Sequence, residues 1–195
     1  YMIGYRIGED TAPNAVNDVI CAYKKILDHA TSKNLSINDI VVSGASAGGH
    51  LALMTGFSET YIDNPCYSMK RPKAIINLFG ITEIERNSEF LDNTKFFKAS
   101  NYVKGWIKPD QDISEVSQKL SPIYLIDENP PYVLTIHGTS DRWVPYEQAV
   151  LLDKKLGGKH KLLTIDGGGH YYFSEKEDEL IRITISSFLK RVYNQ

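Results

Sequence analysis

Cysteine is scarce: two in 195 residues do not make a disulfide framework. Cys21 falls among apolar neighbours at helical spacing and reads as a small core residue, and Cys66 falls in a loop and reads as a free thiol. An excess of either charge is also missing. With 22 basic and 24 acidic side chains the net charge is −2, a balance that argues against nucleic acid or an anionic membrane as partner. No apolar run approaches the roughly 20 residues that a membrane-spanning helix needs. Internal repeats, low-complexity segments and linkers are absent, so residues 1–195 read as one domain. A chain of this length buries about 70% of its unfolded surface. A leader is not visible either. The chain opens on Tyr1 directly into strand-like sequence, as if cut, which leaves the compartment open between cytoplasmic and secreted.

What the chain does have is a small-residue knot at Gly44-Ala45-Ser46-Ala47-Gly48, a G-x-S-x-G pattern. The apolar run at residues 40–42 precedes it, and the helix-forming Leu51-Ala52-Leu53-Met54 follows it. Strand, sharp turn and helix is the context in which this pattern lifts a serine hydroxyl to the end of a sheet. The turn crowds the serine backbone, and Gly44 and Gly48 are expected where a Cβ would collide. Ser46 would then sit at a helix N-terminus, whose N–H groups and dipole favour incoming negative charge. Tight packing or phosphate binding is the alternative use of such a turn.

Residues 1–7 form a β-rich run closed by a turn at Gly8-Glu9-Asp10. Thr11 is the expected N-cap of a helix with Pro13 in its first turn. Apolar residues then recur at Ala15, Val16, Val19, Ile20, Tyr23, Ile26, Leu27 and Ala30, which is helical spacing. Further buried-type strands are expected at residues 74–79, 132–136 and 161–165. A helix is expected over 146–156, ended by Gly157-Gly158, and a last one is capped by Ser174. That final helix is expected to turn Leu180, Ile181, Ile183, Thr184, Ser187, Phe188 and Leu189 inward. The rhythm is that of an α/β protein, a mostly parallel sheet with helices on both faces. The stretch 81–120 breaks it. Phe90, Phe96, Phe97, Tyr102, Trp106 and Ile107 are scattered there among polar residues, over more chain than a crossover needs. It reads either as an insertion shielding its own small core or as a cap over a substrate site.

A serine hydroxyl needs a base to take its proton, and that base needs an orienting partner. Asp141 follows the strand at 132–136 and His170 follows the strand at 161–165, and in an open parallel sheet those loops gather on one edge. The order Ser46, Asp141, His170 is that of α/β-hydrolases. Each residue also has a plain role available: Asp141 as a turn residue, His170 as a loop histidine after three glycines. Of the competing bases, His50 should point away, His29 and His160 sit in surface-like sequence, and His137 should hydrogen-bond its own loop.

These residues resemble an α/β-hydrolase-fold carboxylesterase of the lipase/acetylesterase type, closest to the bacterial esterases grouped with feruloyl and acetylxylan esterases. The matching stretches are Tyr5-Arg6-Ile7, Asn17-Asp18-Val19, Gly44-Ala45-Ser46-Ala47-Gly48-Gly49-His50-Leu51-Ala52, Ser121-Pro122, Pro130-Pro131, His137 through Pro145, and Gly169-His170. The resemblance implies Ser46 as nucleophile, His170 as general base and acid, Asp141 as its orienter, and the Ala47 N–H as an oxyanion donor, with no metal or cofactor. Trp143 and Tyr171 are candidates to line a substrate pocket for a small-molecule or carbohydrate ester. In such esterases a His-Gly-Gly stretch before the Tyr-Arg-Leu-like segment supplies further oxyanion N–H groups. Here that segment begins at Tyr1, so the resemblance implies an N-terminally incomplete sheet, completed by chain beyond this sequence or by a homo-oligomeric partner. A peptidase of the prolyl-oligopeptidase kind is the alternative chemistry. A catalytically impaired homologue with a binding role is the alternative outside enzymes.

Overall fold

The computed structural model describes residues 1–60, 64, 66, 70–94 and 101–194. Among the described residues the apolar runs form four strands: β1 (Val41–Ala45), β2 (Ala74–Leu78), β3 (Tyr132–Gly138) and β4 (His160–Ile165). They pair in chain order, all parallel. Parallel neighbours cannot be joined by tight hairpins, so each crossover carries helix. The helices are α1 (Asn14–Ser32), α2 (Ala47–Gly56), α3 (Ile84–Asn93), α4 (Tyr102–Trp106), α5 (Ile113–Leu120), α6 (Glu147–Leu156) and α7 (Glu175–Tyr193). The register sets Ala45 beside Leu78, Leu78 beside Ile136, and Gly138 beside Ile165. All four strands therefore end on one edge, the edge from which Ser46, Asp141 and His170 follow.

Side chains alternate across a strand, and the two sheet faces are covered accordingly. Ile75 and Val133 pack against Ala52 and Leu53 of α2 and Leu152 and Leu156 of α6. Ala74, Ile76, Leu134 and Ile136 pack on the other face against Ile181, Phe188 and Val192 of α7. A third apolar cluster lies off the sheet, where α1 packs on α2 and the insertion joins in through Ile84, Leu91, Val103, Val116 and Leu120. Among the described residues the insertion thus shares the core of α1 and α2. Phe96 and Phe97 lie outside the described residues.

The structure corrects several expectations. Residues 1–7 form no strand. A strand needs a backbone neighbour, and Arg6 instead joins this segment to α1. Its guanidinium reaches both oxygens of Asp18, at 2.6 and 2.8 Å, and its backbone N–H donates to the same carboxylate at 3.0 Å. That pairing is also why Tyr5-Arg6-Ile7 and Asn17-Asp18-Val19 belong to one pattern. Thr11 does not cap α1. Pro13 holds the cap position, and the Thr11 hydroxyl donates to the Gly8 carbonyl.

Cys21 and Cys66 are not free thiols: they form a disulfide across 45 residues of sequence. Asn64 lies alongside, donating to the Asn17 side chain at 2.7 Å and accepting from the Cys66 N–H. Cys66 is half-buried, and no period or motif in the sequence announces its pairing with α1. In α7, Leu180, Ile183 and Ser187 face solvent, and the buried stripe is Ile181, Thr184, Phe188 and Val192. Only one helical face can meet the sheet, and two of the apolar residues counted as inward fall on the other. His160 is buried rather than at the surface. It opens β4 and is held by Asp153 at 2.7 Å and by the Thr135 hydroxyl at 2.8 Å.

Closing a loop of this length removes chain entropy from the unfolded state worth up to about 4 kcal/mol. Replacing both cysteines with serine, or reducing the protein, should therefore lower the Tm by on the order of 10 °C. Thermal unfolding followed by circular dichroism, with and without reductant, checks this.

Candidate active site

At the end of β1 the chain turns within one residue. Ser46 adopts φ 54° and ψ −121°, donates its N–H to the Leu78 carbonyl, and its own carbonyl opens α2 by accepting from His50 N–H. A non-glycine residue held in this left-handed region is strained, and only surrounding structure keeps it there. The glycines that permit the turn are partly other than expected. A Cβ on Gly44 would collide with the Gly48 carbonyl, whereas a Cβ on Gly48 would meet open space. Close approach falls instead on Gly49 and Gly80, which bring α2 against the end of β2 around the Asn77 side chain.

The strain is doubled next door. Phe79, the residue after β2, has φ 43°, and its ring packs on the imidazole of His170 at 4.6 Å and against Tyr171 and Phe173. An aromatic residue between a buried strand and a glycine was its only trace in the sequence.

The three polar groups expected to meet do meet. Ser46 Oγ lies 2.7 Å from His170 Nε2, and His170 Nδ1 lies 2.6 Å from Asp141 Oδ2. With a carboxylate at Nδ1, the proton rests on that nitrogen and Nε2 is left to accept the serine hydroxyl. Asp141 and His170 are buried, while Ser46 keeps partial access to solvent.

Asp141 is held by more than its histidine. Its Oδ1 accepts the N–H groups of Trp143 at 2.8 Å and Val144 at 2.9 Å. Burial alone would push the carboxyl up, but donors from His137, His170 and Val144 outweigh it and hold the group at about 2. It stays ionised through the neutral range.

One further contact ties the insertion to this loop, and a second braces it from within the insertion. The Tyr102 hydroxyl donates to the Trp143 carbonyl at 2.9 Å and accepts from Asn87 Nδ2 at 3.0 Å. Neither partner had a motif. Trp143 and Tyr171 are exposed beside His170, with ring centroids 6.5 and 4.4 Å from the imidazole. They flank it without lining the adjacent cavity.

That cavity, of about 600 Å³, begins at Ala47 and runs between α2, the N-terminal segment and α4. Its walls include Tyr5, Leu51, Ile81, Ile84 and Trp106. As the first residue of α2, Ala47 has a backbone N–H that precedes the intrahelical bonds, the usual condition of a helix N-terminus. His50 turns from Ser46, with Nδ1 donating to the Ile81 carbonyl at 3.1 Å and its ring edge-on to Trp106. Burial pushes its pKa down to about 4, so it is neutral. His29 is exposed in the last turn of α1. Among the described residues, no three His, Cys, Asp or Glu side chains converge as metal ligands.

The Asp141 arrangement has a pH signature. A carboxyl depressed in the folded state stabilises fully above its unfolded value and loses that contribution as pH falls through its folded one. Between pH 5 and pH 2 the wild type should lose on the order of 2 kcal/mol more stability than Asp141→Asn. Urea unfolding of both proteins across that range checks it.

Comparison with known proteins gives the family and the fold. Residues 1–156, which include Ser46 and Asp141, match the BD-FAE family model. The esterase LipC of Mycobacterium tuberculosis (strain ATCC 25618 / H37Rv) is 29% identical over 144 residues, covering 68% of this chain and 34% of that protein. The chain therefore spans about a third of that relative's length. A bifunctional GH43-CE protein of Bacteroides eggerthii superposes with a TM-score of 0.71 at 26% identity, over 93% of this chain and 27% of its own. An arylesterase superposes at 0.72 with 18% identity, over 96% of this chain and 64% of its own, a likeness of fold alone. Family match and architecture agree: the chain belongs to the BD-FAE family and is built on the α/β-hydrolase fold.

Proposed function

We propose that this protein is a serine carboxylesterase that cleaves short-chain acyl or carbohydrate-linked esters through an acyl-enzyme on Ser46. The observation that carries the reading is the unbroken hydrogen-bond chain from Ser46 Oγ through His170 to a buried, ionised Asp141. Membership of an esterase family supports it.

In this reading His170 Nε2 takes the Ser46 proton as Oγ attacks the ester carbonyl carbon. Asp141 steadies the imidazolium without itself taking the proton. The carbonyl oxygen becomes an oxyanion at the N-terminus of α2, where the Ala47 N–H and the helix dipole favour negative charge. Collapse breaks the bond to the alkoxy group, which leaves as alcohol with the proton from His170. Water then attacks the acyl-Ser46 carbonyl, again giving a proton to His170, and release of the acid restores Ser46. The insertion at 81–120 acts as a cap, since Asn101, Tyr102, Val103, Gly105 and Trp106 form one wall of the cavity beside Ala47.

Ser46→Ala should lower kcat for p-nitrophenyl acetate by about 10⁴- to 10⁶-fold and abolish labelling by a fluorophosphonate. Unchanged turnover, or labelling that survives the substitution, refutes the assignment. Acetate esters should be cleaved faster than long-chain ones, and the reverse order in a p-nitrophenyl ester series refutes the short-chain preference.

A further inference from the structure

His137 ends β3 with its ring fully buried. Its Nε2 lies 2.9 Å from the Val144 carbonyl and 3.3 Å from Asp141 Oδ2, the oxygen that also faces His170. Both neighbours of Nε2 are acceptors, so that nitrogen must carry a proton. Nδ1 is buried and has no partner among the described residues, so a proton there would be desolvated with nothing to receive it. The neutral ring protonated on Nε2 is the only form that meets both conditions.

Asp141 then has a full set of partners. Two backbone amides hold Oδ1, and two imidazole N–H groups face Oδ2. A carboxylate offers about four acceptor sites, so the fourth donor completes it. The other groups near this pair are the Tyr146 ring, edge-on to His137 at 5.9 Å, and the hydroxyl of Tyr102, which Asp141 reaches only by through-space charge.

We propose that His137 is a positioning residue for Asp141: its Nε2–H, shared between the Val144 carbonyl and Oδ2, fixes the loop from strand to carboxylate and draws off part of the charge that His170 would otherwise receive. The inference rests on the esterase reading of Ser46, His170 and Asp141. His137 touches no reacting atom and acts through Asp141 alone.

The test compares His137→Leu, which has no donor, with His137→Gln, whose amide nitrogen can reach the same place. For p-nitrophenyl acetate His137→Leu should lower kcat about 10- to 100-fold with KM within about twofold. With the second donor gone, more of the Oδ2 charge faces His170 and favours the imidazolium, so the acidic limb of the kcat/KM profile should move up in pH. His137→Gln should recover kcat to within about threefold of wild type and return the limb. A loss confined to KM, an unmoved limb, or a glutamine variant no better than leucine overturns the proposal. Imidazole ¹⁵N spectra of the wild-type chain test it without any variant. His137 should be in the neutral Nε2–H form at pH 7, and an Nδ1–H form overturns the proposal even if the wild type cleaves no ester. Absence of wild-type hydrolysis with the expected tautomer would count against the esterase reading alone.

Discussion

A charge taken out of water must be met on every side, and the Asp141 carboxylate is the place where this protein meets that demand. A buried ion without partners would cost several kcal/mol. Here Trp143 N–H, Val144 N–H, His170 Nδ1 and His137 Nε2 surround it. Satisfying it requires β3 to deliver His137, the following loop to fold back its amides, and the loop after β4 to present His170. The position of His170 against Ser46 follows from that arrangement, because an imidazole pinned at Nδ1 has one direction left for Nε2.

The second constraint is how closely backbone can approach backbone. Gly44 sits under the Gly48 carbonyl, and Gly49 and Gly80 let α2 meet the end of β2. These approaches hold Ser46 and Phe79 in left-handed backbone on adjacent strands, one bearing a hydroxyl and the other a ring against His170. Strain at both points is maintained by packing on both sheet faces, through α2 and α6 on one and α7 on the other. The insertion adds a third support from outside the sheet. Its Tyr102, itself held by Asn87, donates to the Trp143 carbonyl, in the same peptide unit as the Val144 amide that holds Asp141.

The parts of the fold that were legible in the sequence are those governed by local periodicity and turn chemistry. Four apolar runs became strands, the spacing from Ala15 to Ala30 became α1, and Gly157 ended α6. Expectations failed where the outcome depended on a distant partner. The β-rich opening residues are not a strand, because Arg6 finds Asp18 and, among the described residues, no backbone neighbour pairs with them. Cys21 reads as a core residue until Asn64 and Cys66 arrive from beyond α2. His160 looks superficial in polar sequence yet is enclosed by Thr135 and Asp153. In α7 the apolar count alone did not say which face meets the sheet.

By itself the sequence determined the strand–turn–helix around Ser46, the parallel α/β order, and the loops that carry Asp141 and His170, since each is set by residues adjacent in the chain. Only the tertiary structure decided that those loops end within hydrogen-bond distance of one another. It alone decided that His137 faces the same carboxylate oxygen as His170, and that Phe79 and Tyr102 brace the surroundings. Such contacts join residues separated by up to 124 positions. Their existence depends on strand register and on burial that leaves a polar group no other partner, and neither is written in any short stretch of chain.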